Sequence, residues 1–122
     1  MKVRVILCGL LMAASGLSLG AGTTITMKVS PEVAFAPADL VVRTNIEADA
    51  GNRAIEIVAE SADFYRSSLI ELQGDRAPRT SVFEFRNLPR GEYQVMATLI
   101  GEGGEPRARV RQRVRVLWWG DR

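Results

Sequence analysis

Apolar and polar residues alternate along most of this chain with a period of two. Ile25, Met27 and Val29 alternate with Thr24, Thr26 and Lys28, and Leu40, Val42 and Ile46 share a parity against Arg43, Asn45 and Glu47. Ile55 and Ile57 flank Glu56, with Val58 an apolar exception on the polar side. Phe83 and Phe85 alternate with Glu84 and Arg86, and Tyr93, Val95, Ala97 and Leu99 form the longest apolar stripe. From Arg107 onward arginine takes every odd position to Arg115, with Ala108, Val110, Gln112, Val114 and Val116 between. Successive side chains of a strand point to opposite faces, so each stretch predicts a half-buried β-strand. Turn-forming residues separate the stretches: Pro31 and Pro37, then Asp49 to Asn52, Gly74-Asp75 with Pro78, Pro89-Arg90-Gly91, and Gly101 to Pro106. They permit positive φ or fix it near −65°. With a weak strand near Ser67–Leu72, about seven strands result, and the expected fold is all-β, an antiparallel sandwich. The stretch Ala59–Arg66 is left open to a helical turn.

The N-terminal residues break this pattern. Lys2 and Arg4 precede an apolar run from Val5 to Ala14, and small residues gather at Ser18, Gly20, Ala21 and Gly22. Charged start, apolar middle and small-residue zone follow the order of a secretory signal. The run is shorter than the about 20 apolar residues of a spanning helix. Residues 1–21 are therefore expected to be a cleaved signal peptide and 22–122 a single sandwich domain, secreted or periplasmic, with no membrane span after signal removal. The only cysteine, Cys8, lies within the signal, so the mature chain would carry no disulfide and no thiolate metal ligand.

Removing the signal also changes the charge. The whole chain has 16 basic and 14 acidic residues, and loss of Lys2 and Arg4 makes the mature part formally neutral. A general attraction to nucleic acid is therefore not expected. The charges are still segregated: Gly22 to Asp75 holds four basic and nine acidic residues, Arg76 to Arg122 ten basic and five acidic. Pairing across neighbouring strands is the simplest use of such halves.

One segment resembles a known family. Asn87-Leu88-Pro89-Arg90-Gly91-Glu92-Tyr93, followed by Val95, Ala97 and Leu99, looks like the E–F corner of immunoglobulin-like and fibronectin type III domains. The resemblance implies that Tyr93 is a corner tyrosine, its hydroxyl bonded back to the corner backbone, with Leu88 the apolar plug beneath it. It also implies an immunoglobulin-like order in which Arg107 to Val116, the final strand, pairs with Tyr93–Ile100. The chain departs from antibody domains in having no cysteine pair and no tryptophan on the third strand. A fibronectin-like or bacterial immunoglobulin-like domain remains. Those families mostly serve adhesion, recognition or spacing, and fold alone assigns no function.

The residue inventory narrows the chemistry. There is no histidine, which removes the usual general base near neutral pH, the Ser–His–Asp arrangement and most zinc sites. Lys28 and Ser30 share a strand parity, but a solvated edge explains them. Gly101-Glu102-Gly103-Gly104 is too acidic to cradle phosphate and has no Lys-Ser/Thr after it. Glu56, Glu60 and Asp63 are the remaining carboxylate candidates for acid–base work, and a charged strand face accounts for them. Glu47, Asp49 and Asn52 offer the oxygens calcium takes, without the full loop pattern that holds it, so a plain turn is expected. No enzyme activity, cofactor or metal is expected.

Three readings compete for Arg107, Arg109, Arg111, Arg113 and Arg115. The row can be the wet face of an edge strand, kept soluble and satisfied in part by acids on strands such as Ile55–Glu60. It can be a polyanion site: five guanidiniums at about 6.6 Å intervals span about 26 Å and grip phosphate, sulfate or carboxylate in pairs of bonds. Or it can meet a protein partner, because Trp118-Trp119 follows at once and Arg and Trp dominate interface hot spots. The expectation is a non-catalytic exported binding or structural domain of the cell envelope or extracellular space, its partner another protein or an acidic envelope polymer. The alternative is a polyanion-binding protein that uses the Arg107–Arg115 row.

Overall fold

The computed structural model describes residues 24–120, so the expected signal peptide and Cys8 lie outside the described residues. Within them the alternating stretches form eight strands: β1 (Ile25–Ser30), β2 (Val33–Phe35), β3 (Ala38–Ile46), β4 (Ala54–Glu60), β5 (Tyr65–Glu71), β6 (Thr80–Leu88), β7 (Gly91–Ile100) and β8 (Pro106–Leu117). One sheet has three strands in the order β1-β3-β6, the other five in the order β2-β8-β7-β4-β5. All pairings are antiparallel except that β2 runs parallel to the end of β8.

The apolar parities of both sheets meet in a single cluster. Val29, Leu40, Val42 and Phe85 come from the smaller sheet, and Ile55, Ile57, Val95, Leu99 and Val114 from the larger, all buried. Two facing apolar layers of this kind are what makes a β-sandwich.

Three local features depart from simple alternation. The pattern expected about seven strands and missed β2, whose Val33-Ala34-Phe35 is too short to alternate and lies between prolines. No helical turn forms over 59–66: β4 runs through Glu60, and β5 begins at Tyr65, two residues before the expected start. The third departure is a bulge in β6, where Leu40 faces Phe85 but Ala38 faces Leu88. Arg86 and Asn87 together oppose Asp39; Asn87 takes φ +60, and its N–H donates to Asp39 Oδ1 at 3.0 Å. Asparagine tolerates that conformation better than most residues. The inserted residue flips the parity, so Leu88 turns inward where strict alternation would have buried Asn87.

Side chains close both open sides of the sandwich. Gln112 of β8 accepts from Val29 N–H through Oε1 at 3.0 Å and donates through Nε2 to Val29 C=O at 2.9 Å. The amide therefore gives the outer edge of β1 both hydrogen bonds that a neighbouring strand would give it. On the opposite side Arg66 of β5 donates to the Arg86 carbonyl of β6 at 2.6 Å. Unpaired strand edges invite pairing with other chains, and both bridges work against it.

Candidate functional site

At the corner between β6 and β7, Tyr93 is 2% exposed and its hydroxyl donates to Pro89 C=O at 2.7 Å. The Phe64 ring meets it edge-on at 6.2 Å between centroids. Burial pushes the phenol's pKa above its ordinary value. Smaller opposing effects come from the Ser61 hydroxyl, close but outside hydrogen-bond geometry, and from the Arg66 guanidinium. Leu88 lies fully buried one residue before the turn.

The five arginines do not behave as one row. Arg107, the least exposed of them, turns into the loop between β3 and β4, where its Nη1 donates to Asn52 Oδ1 at 2.6 Å and Asp49 Oδ1 at 3.1 Å. The side-chain oxygens of Asp49 and Asn52, two of the three residues considered for calcium, therefore serve a guanidinium. Gly51 leaves room for it, since a Cβ there would stand 2.9 Å from Arg107 Nη1. Arg109 donates through Nε to Thr98 Oγ1 at 3.1 Å, and Arg115 lies 4.0 Å from Glu92, the edge of an ion pair. Among the described residues, none pairs with Arg111 or Arg113, and both are exposed.

Strand order explains why the acids expected to serve this row do not. Register places Arg113, Gln94 and Glu60 in one line across β8, β7 and β4, and Arg109, Thr98 and Glu56 in another. β7 therefore separates the two charge rows by about 10 Å. Between the lines runs Arg111–Met96–Val58, with Val58 only 6% exposed despite lying on the outer face. Beyond β4, Tyr65 and Leu69 of β5 are both more than half exposed. At one end of this face Arg113 and Arg115 share an open concavity of about 680 Å³ with Glu32, Glu60 and Glu92. The outer face of the larger sheet thus carries separate stripes of positive, apolar and negative side chains.

Trp118 and Trp119 follow β8 and are 50% and 70% exposed, so neither plugs the sandwich. Trp119 stacks on Phe35 with centroids 4.3 Å apart and planes 1° from parallel. Trp118 lines a cleft of about 370 Å³ with Ala36, Pro37, Asn87, Pro89 and Arg90. Trp118 thus sits beside the β6–β7 corner, and Trp119 against β2, the strand that borders β8. Lys28 and Ser30 are exposed on β1, and Glu56 and Glu60 lie four residues apart along β4, about 13 Å between backbones.

Asp49 carries a pH prediction. The Gly51 N–H, 2.8 Å away, and then Arg107 hold its carboxyl below the ordinary value of 3.8, outweighing the opposing effect of burial. A lowered folded pKa means that the unfolded chain binds the proton more readily. The stabilisation is thus complete above the unfolded value and lost as pH falls through the folded one. Melting temperature followed from about pH 5 downward should fall less steeply in Asp49→Asn than in the parent. Parallel curves would remove Asp49 from the acid response.

No protein-family model matches the chain, and no curated protein matches it.

Proposed function

We propose that this protein is an exported, non-catalytic, immunoglobulin-like domain that works by binding a protein through the outer face of its five-stranded sheet. The observation that carries the reading is the pair Arg111 and Arg113, exposed without a carboxylate partner although Glu56 and Glu60 share their face. A merely soluble face gains nothing from holding opposite charges apart, whereas a recognition face needs them free. The strand orders support the immunoglobulin-like part, since β1-β3-β6 corresponds to strands A, B and E, and β8-β7-β4 to G, F and C. The Tyr93 hydroxyl on the Pro89 carbonyl fits the corner of such domains. Export rests on the N-terminal pattern of Lys2, Arg4 and the run from Val5 to Ala14. The absence of histidine supports the non-catalytic part.

Binding to a polyanion is the weaker reading. Glu56 and Glu60 on the same face, with Glu32 and Glu92 at its end, would repel a uniformly negative polymer. A protein surface can offer both signs.

The test is capture from a cell-envelope extract with the purified protein as bait, beside a variant with Arg109, Arg111 and Arg113 changed to Ser. A partner retained by the parent and lost from the variant supports the face. Capture of the same partner to the same extent by both baits rejects it.

A further inference from the structure

The charge pattern of this face is self-complementary, and we infer that its partner is a second copy of the same chain, joined about a two-fold axis lying along β7. The inference rests on the proposed binding face and names what occupies it. In a two-fold interface the same patch is used twice, so that residue i meets residue j and j meets i. A face that satisfies this needs opposite charges at equal distances on either side of one line. The arginine-bearing β8 and the glutamate-bearing β4 flank β7 as its two immediate neighbours in the sheet.

The register then sets the contacts. Rotation about an axis parallel to β7 keeps positions along the strands and exchanges the two sides. Arg113 and Glu60 share one line across the sheet, so Arg113 comes to face Glu60 of the second copy; Arg109 in the same way faces Glu56. Two pairs become four by symmetry. Gln94, Met96 and Thr98, three of the outward residues of β7, lie on the axis and meet their own mates, so the half-buried Met96 gains an apolar neighbour, while Glu92, nearer the end of the strand, stays beside Arg115 of its own copy. The exposed Tyr65 and Leu69 are carried to the outer flank of β8 in the second copy, beside the aliphatic stems of Arg113 and Arg109. A two-fold axis across the strands would instead bring arginine onto arginine. Twisted sheets stacked face to face cross at about −30°, which leaves these lines within reach of long side chains.

Sedimentation equilibrium of the purified protein over a wide concentration range tests the inference. The expected result is a monomer–dimer equilibrium that shifts toward monomer as salt is raised, because screening weakens exposed pairs. Arg109→Glu with Arg113→Glu should weaken association by roughly a hundredfold, and so should Glu56→Arg with Glu60→Arg. Mixing the two reversed variants should restore a heterodimer, since every contact again joins opposite charges. Circular dichroism checks that each variant is folded, and the restoring mixture repeats that check.

A parent that stays monomeric at every concentration overturns the inference, as does a dimer indifferent to both reversals or a mixture that fails to associate. A monomeric parent that still loses a captured partner when the three arginines become serine would sink the dimer while leaving the binding face intact. Equal capture by both baits removes the face itself.

Discussion

Leu88→Ala is expected to lower the unfolding free energy by about 2–5 kcal/mol, a large part of the total stability of a domain this size. Leu88 is fully buried at the end of β6, immediately before the turn that leads to Tyr93. Its inward direction depends on the bulge at Asn87, so the neighbouring backbone cannot simply close over the space left behind. Tyr93→Phe makes a useful contrast. It keeps the ring against Phe64 and removes only the bond to Pro89, an exposed residue whose carbonyl water can reach. That change should cost about 1–2 kcal/mol. Urea denaturation measures both, and a Leu88→Ala loss smaller than that of Tyr93→Phe would mean the corner is held by its hydroxyl rather than its plug.

Asn52→Ala should cost roughly 2–4 kcal/mol, more than its place in a short loop suggests. The residue is fully buried, and its side-chain amide donates to Glu47 C=O at 3.0 Å while accepting from Arg107 at 2.6 Å. Its backbone also bonds to Asp49 C=O and to Gly74 N–H, joining two loops. Alanine would take the amide donor from the Glu47 carbonyl and leave the Arg107 guanidinium, its side chain 17% exposed, without its shorter bond. Arg107→Met in the same background should make the loss less than additive, because the stranded charge goes too. Strict additivity in a double-mutant cycle would show that Asn52 and Arg107 act independently.

Much of this fold is readable from local alternation, because half-buried strands impose their period on every sequence that forms them. Tyr93 to Leu99 and Arg107 to Val116 are visible that way. β2 is not, since three residues between prolines carry no period. The bulge is legible only afterwards, in the conflict between inward Phe83 and Phe85 and the apolar Leu88, which sits on the wrong parity. Strand order is the deeper gap. Nothing local to Glu56 says that β7 lies between it and the arginines, and the pairing of Arg107 with Asp49 spans 58 positions of chain. Two informative residues were in plain sight: Gln112, a lone polar residue on an aliphatic parity, and Asn52, closing a turn. Each is a polar group whose burial demanded a partner that only the folded chain supplies.

Gln112 also settles a problem of reading frame. Arg-x-Arg-x-Arg is nearly the same sequence after every two-residue step, so β8 could slide along β7 by one step and still present arginine outward and an aliphatic residue inward. Charge and hydrophobicity cannot tell those frames apart. Only one inward position of the strand carries an amide, and only in the native frame does it lie opposite Val29. In either shifted frame Val110 or Val114 would arrive there instead, offering the β1 backbone neither a donor nor an acceptor. A single letter out of rhythm gives a monotonous strand its address.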